Sequence, residues 1–115
     1  MPQQAETRIP EAPTSVAKLA ELFPSASPVR ISVLLSGMCA GRERLQERTV
    51  LEFGTAQEVL FSSSLPLEFE DLIRIASLDQ SLDVRAKVVA MRYDGGRKAV
   101  AARFVSEVEN WIIKP

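Results

Sequence analysis

The chain has 115 residues, 46% of them hydrophobic and 25% charged, which predicts a single soluble globular domain. It contains no histidine and one cysteine, so Ser-His-Asp and Cys-His catalysis, an internal disulfide and multi-cysteine metal sites are excluded. A formal net charge of −1 argues against salt-driven binding to DNA, RNA or anionic membranes.

The N-terminal segment 1–28 is predicted to consist of a flexible arm followed by a short helix. Residues 1–13 are polar and rich in proline, and they lack the pattern of a signal peptide. Segment 14–23 gathers apolar residues on one side at helical spacing, with capping residues at its start and Pro24 after its end. No apolar run is long enough to cross a membrane, so we expect a cytoplasmic protein.

From residue 29 the apolar residues recur with a period of two, which indicates half-buried strands. Segment 36–48 is interpreted as a charged hairpin connection, and Gly54 as a turn. The sequence DGGR at 94–97 is a strong hairpin signal, because glycine tolerates the positive φ of tight turns. Strands are predicted over 29–35, 47–53, 58–62, 72–76, 84–93 and 98–105.

Short strands with regularly spaced turns favour an all-β fold, a six-stranded antiparallel barrel over residues 29–115. Closing the sheet hides its edges from other chains. In the fifth strand, Val84, Ala86, Val88 and Ala90 are predicted to face inward. The C-terminal segment 111–113, Trp-Ile-Ile, is predicted to close one mouth of the barrel.

The order of these elements resembles the PilZ domain, a six-stranded β-barrel that in many bacteria binds cyclic di-GMP. The resemblance spans roughly residues 26–115. It is carried by VRISV at 29–33, ERTVLEFGTAQEVLF at 47–61, PLEFEDLIRI at 66–75 and the final hairpin at 86–104. It implies a non-catalytic domain without cofactor or metal, for which cyclic di-GMP is a possible ligand.

The ligand motifs of the PilZ family are R-x-x-x-R at the first strand and D/N-x-S-x-x-G after the second. In such a site, two guanidinium groups bind the phosphate oxygens of the ligand. The resemblance aligns Arg30 with the second arginine, but Ala26 stands at the first. Thr55 takes the serine position, whereas Phe53 and Glu58 replace the acid or amide and the glycine. Arg30 and Thr55 are therefore the implied ligand-binding residues of a degenerate site.

A second R-x-x-x-R is formed by Arg44 and Arg48. Thr55 follows Arg48 by only seven positions (55 − 48), which leaves no room for the first strand between the two motifs. These arginines are weaker candidates for binding phosphate. The alternative is a solvated hairpin in which arginine and glutamate charges nearly cancel.

We expect a PilZ-like regulatory or adaptor module whose cyclic di-GMP binding is weak or eroded and which acts through a protein partner. One alternative is a functional cyclic di-GMP receptor. Another is a small β-barrel enzyme that uses paired carboxylates from an acidic loop over residues 68–83. A third is a structural domain that forms a homodimer through its helix or its C-terminal flap.

Overall fold

The computed structural model describes residues 14–39, 43–108 and 111–113, so the predicted arm at 1–13 lies outside the described residues. Within them, one helix precedes six strands. The elements are α1 Ser15–Ala20, β1 Ser27–Cys39, β2 Glu43–Gly54, β3 Glu58–Ser63, β4 Leu72–Ser77, β5 Asp83–Asp94 and β6 Arg97–Phe104.

The strands form a closed barrel in the order β1-β2-β3-β6-β5-β4, and every neighbouring pair is antiparallel. Closure comes from β1 and β4, which pair from Val33 with Ser77 to Gly37 with Ile73. The predicted six-stranded antiparallel barrel is confirmed. Among the described residues, no helix combines the length and the apolar character needed to cross a membrane.

The first hairpin is longer than predicted, and the interpretation of 36–48 as a connection is wrong. Ser36 pairs with Gln46, and Leu34 pairs with Arg48, so both arms continue as strand. The physical reason is that the charges in this segment alternate with residues that face the core, such as the half-buried Leu45. A strand that is charged on its outer side and apolar on its inner side has the same alternation, so the charges do not require a loop.

The barrel interior is filled by residues that alternate along all six strands. Phe61 is the largest of the fully buried side chains, and Ala86 and Ala102 complete the packing where space is small. Burial of each large apolar side chain contributes about 1.5–3 kcal/mol, which makes this core the main source of stability. Its other fully buried members include Val33, Leu35, Leu51, Val59, Ile75, Val88 and Val100.

Helix α1 packs on the outer flank of the barrel. Thr14 caps it, with Oγ1 accepting from the backbone nitrogen of Ala17 at 3.0 Å. Val16 and Leu19 are buried against the barrel residues Leu60, Ala99 and Ala101. A helix of six residues is unstable alone, so this packing holds it. It ends at Ala20, earlier than predicted, because residues 21–23 form tighter turns ahead of Pro24.

Candidate functional site

The turn between β2 and β3 holds the residues that the resemblance aligns with the second ligand motif. Thr55 is only 4% exposed. Its hydroxyl oxygen accepts from the backbone nitrogens of Gln57 at 3.0 Å and Glu58 at 2.9 Å, and its hydroxyl donates to the Glu58 carboxylate. These bonds occupy both lone pairs and the proton of the hydroxyl. Thr55 therefore stabilises the turn and presents no free hydroxyl to a ligand.

Glu58 forms an ion pair inside the protein. Its Oε2 lies 2.8 Å from Nε and 2.8 Å from Nη2 of Arg103, which is its partner across the β3–β6 ladder. The Glu58 side chain is 9% exposed, whereas that of Arg103 is 55% exposed. Arg103 is not among the residues that the sequence predicts for this site. The missing information was the strand register, although the alternation of β6 does place Arg103 outward.

Trp111 covers the upper mouth, which we define as the barrel end where Ser27 pairs with Gly54. The Trp111 side chain is 2% exposed, and its Nε1 donates to the carbonyl oxygen of Thr55 at 2.7 Å. Gly54 lies directly beneath the ring: a Cβ there would lie 2.8 Å from Cζ2 of Trp111. The C-terminal segment thus closes a mouth of the barrel as predicted, although Ile112 is exposed.

Arg30 lies at the upper mouth but is not brought together with Thr55. Its exposed side chain lines an open cleft of about 380 Å³, together with Leu78, Asp79 and Ile112. Thr55 does not line this cleft. Among the described residues, Arg30 has no hydrogen-bond or ion-pair partner, and its charge acts only at longer range.

Arg44 and Arg48 are exposed on β2, opposite Met38 and Leu34 of β1. The rise of a strand places Arg48 roughly 23 Å along the chain from Thr55, so this R-x-x-x-R does not join the β2–β3 turn. Neither arginine has an ion pair within the described ranges. Glu47 does not neutralise them, because its carboxylate faces Ser63, Ser64 and Arg97 instead.

The acidic residues of 68–83 do not converge on one point. Asp83 accepts two hydrogen bonds from Arg74, at 2.8 and 2.6 Å. Asp71 accepts from the backbone nitrogen of Glu68 at 2.9 Å. Asp71 and Asp83 thus serve a separate turn and a separate strand pair, and the described part of the chain contains no cluster suited to a metal ion.

Asp79 is the acidic residue whose ionisation the structure affects most. Hydrogen bonds from the hydroxyl and backbone nitrogen of Ser81, and from the hydroxyl of Ser77, lower its pKa from 3.8 to about 2. The folded state therefore binds this proton more weakly than the unfolded chain does. The stabilisation is complete above about pH 4 and is lost as the pH falls towards 2.

We expect Asp79→Asn to remove this pH dependence. Chemical denaturation at several pH values between about 2 and 5 gives the free energy of unfolding of the wild type and of the variant. The stability advantage of the wild type should shrink as the pH falls. An advantage that stays constant over this interval would show that these hydrogen bonds do not favour the ionised carboxylate.

No protein-family model matches the chain, and no curated protein sequence matches it significantly. The barrel is therefore the established feature of this protein, and the similarity to PilZ domains remains a prediction. Of the residues that this similarity implies, Arg30 is exposed and unpaired within the described residues, whereas Thr55 is enclosed. The comparisons assign the chain to no family.

Proposed function

We propose that the chain is a non-catalytic, PilZ-like regulatory or adaptor module that acts in the cytoplasm through a protein partner, with cyclic di-GMP binding weak or lost. The observation that carries the proposal is the closed network at the β2–β3 turn. Thr55 and Glu58 bond to each other there, and Arg103 neutralises the carboxylate. A turn whose polar groups already bond one another offers a nucleotide little to bind.

The cations at the upper mouth support the same proposal. A dianionic dinucleotide is held best by two guanidinium groups placed together. Arg30 is exposed and unpaired in the described part of the chain, but Ala26 stands where a second arginine would precede it. Arg103 is already engaged by Glu58. Arg30 alone, without a second guanidinium group beside it, would bind two phosphates only weakly.

A functional cyclic di-GMP receptor is the second candidate, and the cleft beside Arg30 favours it. The cleft combines this free cation with the exposed apolar side chains of Leu78 and Ile112. Against it, the Asp79 carboxylate lines the same cleft, and its low pKa keeps it negatively charged at neutral pH. That charge repels a phosphate.

A thermal-shift titration with cyclic di-GMP tests the proposal. We expect the melting temperature to stay within about 1 °C of its ligand-free value even at hundreds of micromolar ligand. A ligand present at 100 times its Kd would instead stabilise the fold by about 2.7 kcal/mol, which gives a shift of several degrees. A shift that Arg30→Ala abolishes and Arg44→Ala preserves would establish the receptor and overturn our proposal.

A further inference from the structure

The barrel closes along β1 and β4, but these two strands separate towards the upper mouth. Their last pair there is Val33 with Ser77, whereas β1 extends up to Ser27. Above that pair, a single backbone hydrogen bond among the described residues joins the two sides, from the nitrogen of Leu78 to the carbonyl oxygen of Ser32 at 3.0 Å. A register shift marks a β-bulge in this part of β1, and a bulge bends its strand. The upper part of β1 therefore pairs with no described strand on the side of β4.

This free edge of β1 presents an unpaired backbone donor. In an antiparallel ladder, the two residues of a hydrogen-bonded pair exchange both of their bonds. Ser32 and Leu78 form only one of the two, because the reciprocal bond from the Ser32 nitrogen to Leu78 is not made. Ser32 is exposed, so its N–H is open to an acceptor. Pro28 has no N–H, which limits the free edge to a few residues.

The free edge forms one wall of the cleft beside Arg30, and the β4–β5 turn and the C-terminal segment line this cleft as well. Leu78 and Ile112 offer apolar surface there, since they are 51% and 64% exposed. Two hydrogen bonds fix the turn: the Ser77 nitrogen donates to the Leu82 carbonyl oxygen, and the Leu82 nitrogen donates to the Ser77 hydroxyl, both at 2.8 Å. The walls are therefore formed before a ligand binds, which lowers the entropic cost of binding.

The charged groups of the cleft have opposite signs. Arg30 is positive and Asp79 is negative, and neither forms an ion pair with a described residue. Glu52 also lies close to Arg30, whose positive charge opposes the rise in the pKa of that carboxyl. A ligand with a large net charge of either sign is repelled by one of these groups. The cleft therefore suits a ligand without net charge.

We propose that the cleft binds a short, extended and net-neutral segment of the protein partner, which adds a strand to the free edge of β1. A carbonyl oxygen of the segment accepts from the Ser32 nitrogen, and an apolar side chain packs on Leu78 and Ile112. A free sheet edge is a template for another strand, and strand addition takes its affinity from the backbone and its specificity from alternate side chains. The inference rests on the proposed function and names the chemistry and conformation of the partner's segment.

The test is fluorescence anisotropy of a labelled, amidated peptide of about six residues that alternates valine and threonine, titrated with the full chain. Two further versions of the peptide carry N-methyl groups, one on its valines and the other on its threonines. Successive residues of a strand direct their backbone groups to opposite edges. One version is therefore blocked on the edge that would face β1, whereas the other is blocked on the edge that faces away.

The key variant is Leu78→Gln/Ile112→Gln, which removes the apolar surface of the cleft from two exposed positions. Its matched control is Leu22→Gln/Leu72→Gln, because these side chains are 70% and 59% exposed and do not line the cleft. Thermal melting shows that both variants are folded. Both should melt close to wild type, since substitutions of exposed side chains change stability little.

We expect saturable wild-type binding with a Kd below about 1 mM, which added salt leaves unchanged because the peptide has no net charge. Affinity should fall about tenfold in the Leu78/Ile112 variant and stay within about twofold in the control. One N-methylated peptide should bind like the parent, and the other should not bind. Absence of binding, equal behaviour of the two methylated peptides, or equal losses in both variants would refute the inference.

Other occupants of the cleft give different results. Tighter binding after glutamate replaces the threonines would assign the cleft to an acidic ligand. A dimer in analytical ultracentrifugation that Leu78→Gln/Ile112→Gln dissociates would assign it to a second copy of the chain. Either result refutes the inference and leaves the proposed function standing. A melting shift with cyclic di-GMP contradicts the proposed function instead, whatever the peptide does.

Discussion

We expect Trp111→Ala to lower the free energy of unfolding by about 3–5 kcal/mol, the cost of deleting a buried large aromatic side chain. The ring is 2% exposed and packs edge to face on Phe104, with centroids 5.5 Å apart. Its Nε1 donates to the Thr55 carbonyl oxygen at 2.7 Å, and the variant would leave that acceptor without this donor. The loss therefore combines packing with a hydrogen bond.

Ile112→Ala is the matched control, because the neighbouring side chain is 64% exposed. A change within about 0.5 kcal/mol is expected for it. Urea denaturation followed by circular dichroism measures both variants, since Trp111 is the single tryptophan and its removal eliminates the fluorescence signal. If the two variants lose the same small amount, the C-terminal segment is not an integral part of the barrel.

Much of the barrel was predictable because period-two alternation is a local signal. The hairpin formed by β5 and β6 was predicted almost residue for residue from DGGR and its flanking strands. Alternation fails where a strand carries a β-bulge. The register shift between Val88 and Ala90 moves Ala90 out of the predicted inward row and into the cluster beneath α1.

The candidate site was harder to predict, because it depends on which residues the ladders bring together. Glu58 and Arg103 are 45 residues apart in sequence and meet only through the β3–β6 register. The ion pair of Arg74 with Asp83 depends equally on the β4–β5 register. The separation of Arg48 from the β2–β3 turn, in contrast, is set along a single strand and follows from the sequence spacing and the rise of a strand alone.

Glu58→Ala should lower the free energy of unfolding by about 2–3 kcal/mol, the loss of charge-assisted hydrogen bonds at a buried carboxylate. The variant removes the acceptor of the Thr55 hydroxyl and the partner of Arg103 together. Arg103 is half-exposed and regains water, so the loss stays below the 3–5 kcal/mol typical of breaking a fully buried pair.

Glu58→Gln and Glu52→Gln each remove a charge near the β2–β3 turn while keeping the size of the side chain, so they test the effect of the charge alone. Glu58→Gln keeps an acceptor for Thr55 but loses the ion pair, so we expect a smaller loss of about 1 kcal/mol. Burial raises the pKa of Glu52, with the positive charge of Arg30 opposing the shift, so its ionised form is disfavoured in the folded state. Glu52→Gln should therefore leave stability at neutral pH unchanged or slightly increased.

Urea denaturation at neutral pH measures the change in free energy of unfolding for both glutamine variants. The difference between the two changes decides what Glu58 does. If both glutamine variants behave alike, the Glu58 carboxylate is an exposed charge that happens to lie near Arg103. If only Glu58→Gln destabilises, the ion pair stabilises the turn, because neutralising the carboxylate leaves Arg103 without its partner. The residue standing at the glycine position of the PilZ motif would then have a structural role in place of a ligand-binding one.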